Sequence, residues 1–92
     1  MTELRFEWHD TKASANAKKH GITFDEACSV FADENGKYMA DPDHSEQEDR
    51  FILLGLSSTM KLLVVCHCYR GADHVIRIIS ARKATRTETL QY

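Results

Sequence analysis

The spacing of apolar residues switches near Gly36, and that switch limits the fold more than any other feature. In the two helical segments before Gly36 they recur at helical intervals; after it they alternate or run together as strands do. In the first part, Phe24, Ala27, Cys28, Val30 and Phe31 form an apolar stripe. Thr23-Phe24-Asp25-Glu26 ahead of it has the form of a capping box: Thr23 caps and Glu26 reaches back, with Ile22 and Ala27 at the staple positions. This helix is expected to fade near Asp33, before Glu34-Asn35-Gly36. Upstream, Leu4, Phe6 and Trp8 alternate with Arg5 and Glu7 as in a short strand. Asp10 suits an N-cap for a helix through Lys19, with Ala13, Asn16, Ala17 and His20 on one face. Gly21 is its expected terminator, and Lys18 and Lys19 complement the dipole at that end.

In the second part, strands are expected over Lys37–Ala40, Arg50–Leu56, Lys61–Tyr69 and His74–Ala81. The third of these is the most apolar and therefore central. Polar connections separate them: Asp41-Pro42-Asp43-His44-Ser45, Ser57-Ser58-Thr59-Met60 and Arg70-Gly71-Ala72-Asp73. Thr85 and Glu88 repeat the capping-box pattern, so a short helix closes the chain. The order is β-α-α-β-β-β-β-α. Short polar turns between consecutive strands imply an antiparallel meander with the helices on one face, an α+β domain. Ninety-two residues hold one core, so residues 1–92 form one domain.

Composition narrows the function classes. No apolar run approaches the ~20 residues that span a bilayer. Met1-Thr2-Glu3-Leu4-Arg5 lacks the basic start and apolar stretch of a signal peptide. The expected setting is the cytoplasm, away from membranes. The three cysteines, Cys28, Cys66 and Cys68, are an odd set that reads as reduced, buried thiols rather than a disulfide framework. In Cys66-His67-Cys68 the histidine faces away from both cysteines on a strand, and metal-ligand spacing such as C-x-x-C is absent, so no metal and no cofactor are expected. Glycine-rich phosphate loops and dinucleotide fingerprints are also missing.

The net charge of −2 conceals an asymmetry. Residues 25–49 carry nine acids and one base, while residues 70–92 carry five bases and two acids. Such a split can present a basic surface to an anion, and it equally fits an ordinary mixed surface.

Arg77 is the oddest placement. Strand alternation puts Ile76, Ile78 and Ser80 on one face and Val75, Arg77 and Ile79 on the other. A charge among isoleucines is either a salt-bridged or snorkelling arginine or an anion site. Arg50, Arg77 and Arg82 lie at or near strand positions, where one sheet can display all three. With His67 or His20 and the carboxylates Glu46 and Glu48, they supply what metal-independent RNA cleavage needs. The needs are a base for a 2′-OH, an acid for the leaving oxygen and cations for the phosphorane. The plainer readings stand beside this one: Lys18 and Lys19 as a solvated helix end, His20 as a carbonyl cap, and Glu46 and Glu48 as a solvated acidic loop.

Several segments, taken in order, resemble the BrnT family of ribonuclease toxins. They are Phe6-Glu7-Trp8-His9-Asp10-Thr11-Lys12, Asn16 to Ala27, Val30-Phe31-Ala32-Asp33, Asp43-His44-Ser45 with Glu48-Asp49-Arg50-Phe51, and Ile76 to Thr85 followed by Glu88 and Tyr92. The resemblance implies a RelE-like fold and an endoribonuclease that inhibits translation without a metal. It also implies a BrnA-like antitoxin with a ribbon–helix–helix region. That antitoxin would neutralise the toxin and carry it to operator DNA, in a possible higher-order complex. Carried over residue by residue, Arg50 and Arg77 would bind the scissile phosphate, Glu48 or His20 would accept the proton, and Lys19, Ser80, Arg82 and His67 would contact RNA. The chain departs from the family pattern at His9, where aspartate is usual, and at Cys66-His67-Cys68. Two alternatives remain at this level. One is a non-catalytic antitoxin-binding module acting in autoregulation; the other is a metal-dependent hydrolase using the histidines and acids.

Overall fold

A computed structural model describes residues 4–41, 49–71 and 75–92. Strand β1 (Arg5–Glu7) leads into helix α1 (Asp10–His20), helix α2 (Phe24–Ser29) and a 3₁₀ turn at Val30–Ala32. Strands β2 (Lys37–Ala40), β3 (Phe51–Leu56), β4 (Leu62–Arg70) and β5 (Val75–Lys83) follow, then the short helix α3 (Arg86–Thr89). The sheet order is β1-β5-β4-β3-β2. The β2 to β5 meander is antiparallel as expected, and β1 adds to the far edge parallel to β5.

The helix boundaries follow local chemistry, with two corrections. The cap of α1 is His9, not Asp10; its side chain makes no capping bond, and Asp10 opens the first turn instead. Gly21 ends α1 with φ of 72°, where a side chain would be strained, and its N–H reaches the Ala17 carbonyl at 2.9 Å. Thr23 does accept from the Glu26 N–H at 3.1 Å. The Glu26 carboxylate, however, accepts from the hydroxyls of Ser57 at 2.7 Å and Thr59 at 2.5 Å. Two hydroxyls offer this carboxylate more than one backbone amide does, and they hold it below its ordinary pKa. The box therefore opens into a tie between α2 and the β3–β4 turn. At Thr85 the full box forms: Glu88 Oε1 accepts from the Thr85 N–H and Thr85 Oγ1 from the Glu88 N–H.

The core lies between the helices and one sheet face. Ile22, Phe24, Ala27 and Val30 pack against Leu53, Leu63, Val65, Ile76, Ile78 and Ala81, with Phe6, Trp8 and Phe31 at its margin. Burying these side chains stabilises the fold by ~1.5–3 kcal/mol for each large aliphatic or aromatic group.

The register of β4 against β5 contains the feature that positions the site. Cys66 pairs with Ser80, but His67 pairs with Ile78, so Ile79 faces no partner and forms a bulge. Directly paired residues share a face, and Val64, Cys66 and Cys68 lie on one face of β4. Their partners Arg82, Ser80 and Arg77 are therefore all on that face, opposite α1 and α2. This corrects the alternation that grouped Ser80 with Ile76 and Ile78. Five positions apart in a regular strand, Arg77 and Arg82 would point oppositely; the extra residue restores them to one side.

Candidate functional site

The open face of the sheet carries a concavity of about 440 Å³, lined by Asp41, Arg50, Ile52, Val64, Cys66, Ile79, Ser80, Arg82 and Glu88. Its floor is aliphatic and its walls are ionic. Arg50 stands just before β3, and its carbonyl accepts from the Asp41 N–H at 3.0 Å, which ties the two chain segments together. Cys66 donates its thiol to Asp41 Oδ2 at 3.3 Å. Burial first, and Asp41 second, push this thiol up to about 12, so it is a hydrogen-bond donor and not a nucleophile.

Arg82 grips Glu88 with two parallel bonds, Nη1 to Oε1 at 2.7 Å and Nη2 to Oε2 at 2.9 Å. The Arg82 bond is the main reason the Glu88 carboxyl falls to about 2. Glu88 is thus ionised throughout the physiological range and is no proton donor. The acidic and basic segments do not separate into opposed surfaces here: Asp41 from the first shares this hollow with Arg82 from the second.

A second hollow of about 230 Å³ lies on the helix side of β5, lined by Lys12, Ala15, Asn16, Lys19, His20, Ile79 and Ser80. Ile79 and Ser80 line both hollows, so the bulge is the ridge between them. β1 pairs only with Val75–Arg77, which leaves this stretch of β5 at the sheet edge.

The structure thus brings Arg50, Arg82 and Ser80 into one hollow, and Lys19 and His20 into the neighbouring one. Arg77 shares the open face but not the hollow. Its Nε donates to Glu7 Oε2 at 2.8 Å, the same oxygen that Arg70 approaches at 3.5 Å. Glu48, with Glu46 and the loop around Pro42, lies outside the described residues.

His67 does not reach an RNA-accessible surface. It is 0% exposed on the core face, because its register partners there are Phe51 and Ile78. The rings of Phe31, Tyr38, Phe51 and Tyr69 surround it at centroid distances of 4.8, 6.1, 6.2 and 5.5 Å. Its Nδ1 lies 3.2 Å from the Val65 carbonyl, while Nε2 has no partner among the described residues. Burial lowers its pKa, so the imidazole is neutral.

The sequence reading missed three contributors. Asn16, on the apolar face of α1, bonds the backbone of Ala81; a polar residue in that stripe was the available signal. Glu7 was read only as the polar face of a strand and proves to be the partner of Arg77. Glu88 was read as a capping residue and as part of the family resemblance, and nothing local announces that it also holds Arg82. Among the described residues, no three of His, Cys, Asp and Glu converge to hold a metal ion. No described helix is long and apolar enough to cross a membrane.

Comparison with known proteins fits this geometry. No curated protein matches the chain in sequence. The crystal structure of the Brucella abortus ribonuclease toxin BrnT is similar in fold. Its TM-score is 0.66 at 19% identity, and the match covers 91% of this chain and all of that one. The family model for the ribonuclease toxin BrnT of type II toxin–antitoxin systems matches residues 8–88. With nearly its whole length matched, the chain belongs to the BrnT family of ribonuclease toxins, RNA-cleaving enzymes of type II toxin–antitoxin systems.

Proposed function

We propose that this chain cleaves RNA on the open face of its sheet, with Arg50 and Arg82 as phosphate ligands and without a metal ion. The observation that carries the reading is the placement of these two arginines, with Ser80, in one concavity on a rigid sheet. Guanidinium groups bind phosphate oxygens through paired N–H groups and keep their charge as the phosphorane forms. An aliphatic floor of Ile52, Val64 and Ile79 lowers the local dielectric and strengthens those bonds. Ser80 offers a hydroxyl on the ridge. Lys19 and His20, in the hollow across that ridge, meet the same RNA strand as it passes over the sheet edge. His20 takes the proton from the attacking 2′-OH as the O2′–P bond forms, and returns it to the 5′-oxygen as the P–O5′ bond breaks, with Glu48 the other candidate base from the sequence. Arg77 serves chiefly to anchor β1 through Glu7.

Such a toxin arrests translation by destroying RNA and is held silent by an antitoxin. We infer a BrnA-like partner with a ribbon–helix–helix region, through which the complex meets operator DNA.

The test is cleavage of a defined single-stranded RNA by the purified chain in the presence of a chelator. Wild type should cut and leave a cyclic phosphate end, while Arg50→Ala and Arg82→Ala should each lose about 100-fold or more in kcat, as for loss of one donor to a developing oxyanion. Equal cleavage by wild type and both variants, or abolition by the chelator, would sink the proposal.

A further inference from the structure

The clamp on Arg82 leaves one edge of its guanidinium directed away from Glu88. A guanidinium carries five N–H groups in a plane. Glu88 takes one proton from each of Nη1 and Nη2, the end edge of the fork. The Lys83 carbonyl takes a further Nη1 proton at 3.3 Å. What remains is the side edge, Nε–H with the second Nη2 proton, for which no acceptor is found among the described residues. That edge is itself a two-pronged donor of the spacing that fits two phosphate oxygens.

Glu88 cannot easily swing aside. Its Oε1 also accepts from the Thr85 N–H at 2.8 Å, and its own N–H donates to Thr85 Oγ1 at 3.2 Å. The carboxylate is thus part of the structure that starts α3, and releasing Arg82 would uncap that helix. Two parallel bonds fix the plane of the guanidinium, where a single bond would leave it free to rotate.

We propose that Glu88 is a positioning residue for RNA cleavage: it holds Arg82 so that the Nε–Nη2 edge meets a phosphate in the cavity shared with Arg50 and Ser80. This rests on the RNA-cleavage reading above. It opposes a simpler role in which Glu88 only neutralises Arg82, since a mere competitor would raise activity when removed.

The experiment is steady-state cleavage of a short RNA by the full chain carrying Glu88→Gln, Arg82→Ala, both together, or Thr89→Ala. Glutamine still caps α3 but loses the charge and the paired grip. Glu88→Gln should lower kcat about 10- to 100-fold, the scale of a small misplacement of a reacting group. KM should stay level or fall, because the cavity becomes more positive. In the Arg82→Ala background, Glu88→Gln should add nothing. Thr89→Ala, which removes a hydroxyl bond to the Thr85 carbonyl and none to Glu88 or Arg82, should leave kcat within about twofold of wild type, as surface changes usually do. The Arg82 Nε–H resonance, sharp in wild type, should broaden or vanish in Glu88→Gln. If Glu88→Gln fails to fold, Arg82→Lys tests the same point by keeping the charge without the fork, and should lose as much. A kcat at or above wild type in Glu88→Gln, or additive losses in the double variant, overturns the inference. Undiminished cleavage by Arg82→Ala instead overturns the phosphate-site reading and this inference with it.

Discussion

Asn16 supplies strand β5 with the hydrogen bonds of a neighbouring strand. Its Nδ2 donates to the Ala81 carbonyl at 2.8 Å and its Oδ1 accepts from the Ala81 N–H at 3.1 Å, while Nδ2 also reaches the Ile22 carbonyl at 3.0 Å. β1 pairs with β5 only as far as Arg77, so a side chain from α1 completes the edge just where the bulge ends. Both groups of Ala81 are thereby satisfied without an exposed strand edge. Asn16→Ala should destabilise the protein by about 1–3 kcal/mol, the cost of leaving buried polar groups unpaired. Urea unfolding checks it. A loss below about 0.5 kcal/mol, typical of surface positions, would show that water replaces the amide without penalty.

His67 should make the fold sensitive to mild acid. Its ordinary pKa is 6.5, and burial lowers that value in the folded chain. The unfolded chain therefore binds the proton more readily, and stability rises with pH across the interval between the two values. The neutral imidazole's contribution is fully present above about 6.5 and is lost as pH falls through the lower, folded value. The hydroxyls of Tyr38 and Tyr69, whose rings flank His67, are shifted upward by burial, away from this window. Melting temperature followed from pH 7 to about 5 should fall in wild type and flatten in His67→Phe, which also removes the unpaired Nε2. An unchanged slope in the variant would assign the acid response to another group.

The elements of the fold were largely legible in the sequence, because the stripe from Phe24 to Phe31 and the apolar run of β4 each report one unambiguous period. The Gly21 terminator and the Thr85–Glu88 box were legible for the same reason: their chemistry is local. What escaped was non-local. The bulge at Ile79 carries no glycine or proline to mark it, yet it decides which face Ser80 takes and lets Arg77 and Arg82 share one. Glu26 followed two hydroxyls some thirty positions away rather than the amide of its own turn. His67 read as an RNA contact because nothing near it in sequence shows that Phe31 and Tyr38 close over it. The site followed the same rule: Arg50 and Arg82 were visible as candidates, but Glu88 beneath Arg82 and Asp41 beside Cys66 are fixed only by tertiary contact.

Tyr92 should hold down the pKa of Asp33. Its hydroxyl donates to Asp33 Oδ2 at 2.5 Å, and the same carboxylate accepts from the backbone N–H groups of Leu56 and Asn35. The tyrosine bond is the largest of the three effects that hold Asp33 below its ordinary value of 3.8. Tyr92→Phe should therefore raise the Asp33 pKa toward that value, read by carboxyl chemical shift in an NMR titration. A titration curve identical to wild type would mean that the C-terminus does not dock on Asp33 in solution.

Arg77 and Arg82 share a sheet face but should answer mutation differently. Glu7 holds Arg77 from β1 by an Nε bond at 2.8 Å, and this side chain lines no part of the Arg50–Arg82 hollow. The Arg77 side chain is 24% exposed and that of Glu7 37%, so water screens the pair and the bond contributes at most about 1 kcal/mol. Arg77→Ala should thus lower stability by that amount or less and loosen β1, while RNA cleavage per folded molecule stays within about threefold of wild type, a barrier change under ~1 kcal/mol. Arg82→Ala should show a large loss of kcat beside a stability loss of similarly small size, since its pair with Glu88 is also partly exposed. The two profiles are separated by measuring cleavage and unfolding on the same preparations. A loss of kcat in Arg77→Ala as deep as in Arg82→Ala, with stability intact, would place Arg77 on the phosphate and extend the site along β5 beyond the hollow.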